Sequence, residues 1–81
     1  MSDAKLVEFI ESELRSGLEY LTRVSEGEPS VMQEARRNAR RCYDNILELL
    51  PKVALSGTRR VDFLSKLAGF RSRLVLAGEE L

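Results

Sequence analysis

The sequence predicts an all-α fold: three long helices in an up-down-up bundle, expected to associate into a larger helical bundle. Three observations carry this. Apolar residues recur with helical rather than alternating period through three segments. Only two stretches of helix-breaking residues interrupt them, "SEGEPS" at 25–30 and "PKVALSGT" at 51–58. The third is size. A chain of 81 residues makes one small domain, 1–81, that buries little surface and gains from self-association.

The spacing predicts helices over roughly 3–24, 30–50 and 58–77. In the first, Ser2 or Asp3 serves as cap, and Leu6, Val7, Ile10, Leu14, Leu18, Leu21 and Val24 form one apolar stripe. Gly17 lies in that stripe, where it costs roughly 1 kcal/mol against Ala. The expected return is close approach of another backbone. Phe9, Glu13 and Tyr20 lie on one flank outside the stripe, and Glu11–Arg15 and Glu19–Arg23 are i,i+4 pairs on the outer face.

The second helix is expected to start either with Ser30 and Gln33 as a capping box or with Pro29 in its first turn. Its stripe is Val31, Met32, Ala35, Ala39, Cys42, Tyr43, Ile46, Leu49 and Leu50, and Pro51 should end it. The third runs from Ser56 or Thr58 to Gly78, a natural left-handed residue for a helix end. Phe63, Leu67, Phe70, Leu74 and Ala77 make one stripe; Val61, Leu64, Ala68 and Val75 make another. Together they exceed what a helix needs to close a three-helix unit. Arg71 sits between the stripes. A buried arginine needs a carboxylate, so Arg71 is expected to pair with Glu13 of its own chain or of a neighbour.

Composition narrows the function. A 43% apolar and 32% charged chain is an ordinary globular protein, not a disordered one. No apolar run approaches the roughly 20 residues needed to span a bilayer. The start, "MSDAKLVEF", lacks the basic and apolar regions of a secretory signal, so a cytoplasmic protein is expected, with no membrane partner. With no His, the sequence offers no imidazole base, no Ser-His or Cys-His nucleophile and no His metal ligand. There is no phosphate-binding glycine loop. No catalytic, metal or cofactor residue is expected, and the chain does not read as an enzyme. Cys42, the one cysteine, reads as a small core residue.

Net charge is zero but unevenly spread. Residues 1–28 carry seven acids against three bases; residues 29–52 and 53–81 each carry five bases against three acids. Four arginines crowd "EARRNARRCYDN": Arg37 and Arg41 should face solvent, and Arg36 and Arg40 should lie at the core edge. The leading expectation is a small helical module acting through protein association, as a homo-oligomer (a dimer first) or with a partner protein's helix. Its contact would use Phe9, Glu13, Tyr20, Val61, Leu64, Ala68, Arg71 and Val75. The alternative is a nucleic-acid or polyanion binder using Arg36, Arg37, Arg40, Arg41, Arg59 and Arg60. Zero net charge and the lack of interleaved aromatics argue against nucleic acid.

Overall fold

The computed structural model describes residues 3–24 and 27–81. Three helices follow one another: α1 (Asp3–Val24), α2 (Pro29–Leu49) and α3 (Gly57–Leu76), with a short 3-10 turn at Leu50–Lys52. The predicted all-α, three-helix arrangement is the one observed, with α1 and α2 forming the main contact and α3 lying against both. Arg59 at the start of α3 meets Glu11 of α1, whereas Arg36 near the start of α2 meets Ala77 beyond the end of α3. The chain therefore runs up, down and up. Ser2, one of the two expected caps of α1, lies outside the described residues.

Of the two starts expected for α2, Pro29 in the first turn is the one observed; Glu28 stands at the cap position in extended conformation and no side chain caps the helix, so the Ser30–Gln33 capping box does not form. Pro fits there because its missing N–H would have had no helical partner and its fixed φ is already helical. The starting turn is therefore less buried than the stripe suggested, and Val31 is exposed. At the other end α2 stops at Leu49, and Pro51 is accommodated within the 3-10 turn.

The far end of α3 is closed by a Schellman motif. Glu79 N–H donates to the Leu74 carbonyl and Gly78 N–H to the Val75 carbonyl, both at 3.0 Å. Gly78 has φ +104°, a conformation that a side chain would strain.

The core is apolar throughout, with Ile10, Ile46, Phe70 and Leu74 its largest fully buried side chains. Phe70 occupies the centre. Its ring meets Tyr43 of α2 edge-on, with centroids 5.8 Å apart and planes at 82°. This is a geometry that aromatic quadrupoles favour. On its other side the ring rests on Gly17 of α1. The glycine predicted to admit a neighbouring backbone thus admits an aromatic ring instead. A methyl group at Gly17 would overlap Phe70 Cζ and approach within 2.8 Å of Cε2. Gly17→Ala should therefore destabilise the fold by about 1–3 kcal/mol, despite the better helix propensity of Ala. Chemical denaturation of Gly17→Ala, Phe70→Leu and the double variant checks this, and the double should cost less than the sum of the singles.

Candidate protein interface

The site is built on α3, whose two sides differ completely. At about 100° per residue, Phe63, Leu67, Phe70 and Leu74 centre near 190° on a helical wheel. All four are buried against α1 and α2. The opposite arc, from about 280° through 0° to about 60°, holds Leu64, Val75, Ala68, Val61, Ser72, Ser65, Leu76 and Gly69. No charged residue falls within it. Leu64 packs partly on the core margin, and the other seven are exposed. Val61 is 68%, Val75 48% and Leu76 86% exposed. Charged residues border the arc: Arg60 and Arg71 on one side, Asp62, Arg73 and Lys66 on the other.

Gly69 sharpens the picture. A glycine inside a helix costs about 0.5–1 kcal/mol relative to Ala. Around Gly69 a Cβ would meet nothing within 4 Å, so the fold of one chain makes no use of its lack of a side chain. Sequence reading assigned Val61, Leu64, Ala68 and Val75 to this face but missed Ser65, Gly69, Ser72 and Leu76. Hydrophobicity could have found Leu76 but not Ser65, Gly69 and Ser72, which are small and carry no apolar signal. The usable signal was the uncharged arc itself.

The remaining expected contacts do not join this face. Phe9, Glu13 and Tyr20 share the flank of α1 that faces α2. Phe9 is 43% exposed. Tyr20 lines a shallow depression with Val31, Ala35 and Asn38 of α2, and Arg23 lies over its ring at 6.0 Å. Glu13 sits beside the Cys42 thiol and helps to raise its pKa. Within one chain the expected Arg71–Glu13 pair is absent: Arg71 is exposed on α3, and Glu13 is turned to α2. The physical reason is that the second stripe of α3 is not covered by its own chain, so Arg71 never leaves water.

The arginine cluster divides as its helical phase predicts, but Arg36 and Arg40 do more than shield the core edge. Arg36 Nη1 donates to the Ala77 carbonyl at 3.2 Å, and its Nε lies 3.1 Å from Glu79 Oε2. Arg40 Nη1 donates to Glu79 Oε1 at 3.3 Å and to the Glu80 carbonyl at 3.0 Å, while its Nε donates to Asp44 Oδ1 at 3.0 Å. The Asp44 hydrogen bond is the main reason the Arg40 guanidinium is held above its ordinary pKa. Arg36 thus meets a carbonyl at the negative end of the α3 dipole, while Arg40 holds the segment just beyond it. Arg59 is engaged too, donating to Glu11 Oε1 at 2.8 Å. Arg37, Arg41 and Arg60 are exposed, and none is ion-paired among the described residues.

Among the described residues, no group of three or more His, Cys, Asp or Glu side chains could hold a metal ion. No helix among them is long and apolar enough to cross a membrane. A surface groove between α1 and α3 is lined by Leu14, Leu18 and Phe63 together with the charged Glu11, Arg15, Asp62 and Lys66.

Two outcomes test this description. Arg36→Ala removes the charged donor at the α3 end. It should cost about 1 kcal/mol and lower the melting temperature by about 4–8 °C, read by circular dichroism. Burial, then the neighbouring Glu13, pushes the Cys42 thiol from 9.0 up to about 12, with Arg41 opposing only slightly. The unfolded chain loses that proton first, so the contribution to stability is complete below about pH 9 and is lost as pH rises towards about 12. Urea midpoints measured across this range should fall more steeply for the wild type than for Cys42→Ala. The native thiol should also resist disulfide reagents at neutral pH. No protein-family profile, curated protein or solved structure matches this chain, and its surface geometry is the ground on which its use is argued.

Proposed function

We propose that this chain is a helical association module. It works by pressing the back of α3 against another protein surface, a second copy or a partner helix. One observation carries the reading: an uncharged arc of α3, directly opposite the core, leaves Val61, Val75 and Leu76 in water. Monomeric proteins rarely leave large continuous apolar patches exposed, and such patches rimmed by polar residues mark contact sites. Charge is depleted at the centres of interfaces and retained at their rims, the distribution found around this arc. The contact is therefore confined to α3, unlike the set expected from sequence. Val61, Leu64, Ala68 and Val75 form it with Ser65, Gly69, Ser72 and Leu76; Arg71 stands at its edge, and Phe9, Glu13 and Tyr20 lie elsewhere.

The polyanion alternative has less support. Arg36, Arg40 and Arg59 are engaged within the chain, and Arg37, Arg41 and Arg60, which hold no ion pair among the described residues, are divided between two helices.

Sedimentation from low to high micromolar concentration tests the association reading. The wild type should exceed its monomer mass of 9.2 kDa, and Ala68→Glu should return it to the monomer with unchanged helicity. A wild type that stays at monomer mass throughout, matching the variant, would sink the reading.

A further inference from the structure

The occupant of this face can be specified further, on the basis of the association reading. We infer that the back of α3 packs against the α3 of a second copy, antiparallel, with the twofold axis passing between Ala68 and Gly69. About that axis Val61 stands level with Leu76 of the other copy, Ser65 with Ser72, and Ala68 with Gly69. Small residues occupy the crossing point, where two helix axes come closest. Large apolar residues occupy the ends, where crossed helices diverge and the gap widens. The face is complementary to its own reverse.

The charged borders fix the orientation. In an antiparallel pair related by a twofold axis, each border meets the same border of the other copy. Asp62 and Arg73 share one border, at about 80° and 100° on the wheel. Asp62 of one copy falls within about 3 Å along the axis of Arg73 of the other. The symmetry makes this pair twice. Within the chain Asp62 holds only Lys66, at 3.1 Å on the side away from the contact, and Arg73 has no ion-pair partner among the described residues.

On the other border, Arg60 and Arg71 stay about 7 Å or more along the axis from their counterparts. A parallel pair would bring opposite borders together. Arg73 would then face Arg71 of the other copy while Asp62 faced Arg60, and each attraction would be offset by a repulsion. In the antiparallel pair Lys66 of the other copy also comes within about 3 Å of Arg73 along the axis, but it lies further round the helix, at about 120°, and is tied to its own Asp62. A contact running about 23 Å along the helix is at the small end of specific interfaces, so the dimer forms in the micromolar range and weakens with salt.

Disulfide cross-linking in a Cys42→Ala background tests the arrangement. Ala68→Cys and Gly69→Cys, which lie at the axis, should each cross-link to themselves under mild oxidation. Val61→Cys alone should not, but mixed with Leu76→Cys it should. Asp62→Arg should weaken dimerisation roughly tenfold, and adding Arg73→Asp should restore it. Self-cross-linking of Val61→Cys as fast as that of Ala68→Cys would overturn the antiparallel arrangement and leave association standing. A wild-type dimer in which neither central cysteine cross-links would overturn the choice of face. A wild type that is monomeric at every concentration overturns both this inference and the association reading.

Discussion

The three helices are held in register by one contact, the seating of the Phe70 ring between Gly17 and Tyr43. Each helix supplies one part: a missing side chain on α1, the Tyr43 ring on α2 and the Phe70 ring on α3. The contact is directional in a way that the leucine and isoleucine contacts around it are not. A sliding α3 would drive the ring into the side chain of a residue flanking Gly17, because only Gly17 lacks a Cβ at that level. Packed interiors tolerate small changes of shape poorly, so this single steric condition sets where α3 sits along α1. The position of Arg59 beside Glu11 at one end, and of Ala77 beside Arg36 at the other, follows from it.

The arginines of α2 belong to the same logic. Once Phe70 sets the level of α3, its end arrives opposite Arg36 and Arg40, and Glu79 and Glu80 turn back across those side chains. Gly78 makes the turn possible, and a Cβ there would stand 3.0 Å from Arg36 Nη1. What looks in the sequence like a phosphate-seeking cluster is therefore half committed to closing a helix end. The association reading takes its strength from the part of the molecule that this network leaves unused.

Periodicity made the helices and most of the core legible in the sequence, because a face that must leave water is apolar at every turn. The division of the arginines was equally readable from helical phase. Long-range partners were not. Gly17 announced a close approach, but only the fold shows that the approaching group is Phe70, 53 positions away in the chain. Glu13 was singled out as an acid on an apolar flank, but within the chain its neighbour is Cys42 of α2 and not Arg71 of α3, since a wheel shows direction without showing who stands there. The uncharged face of α3 was only half visible, because small residues such as Ser65, Gly69 and Ser72 carry no hydrophobic signal. Their meaning lies in the absence of charge around them.

The two sides of α3 answer to different demands. The side carrying Phe63, Leu67, Phe70 and Leu74 is buried against the other helices, and the side carrying Val61, Ala68 and Leu76 is exposed. Substitutions on the outward side can change what the surface prefers without disturbing how the chain folds, and core changes can retune stability without rewriting that preference. The helix holds two separable texts, written back to back and editable one at a time.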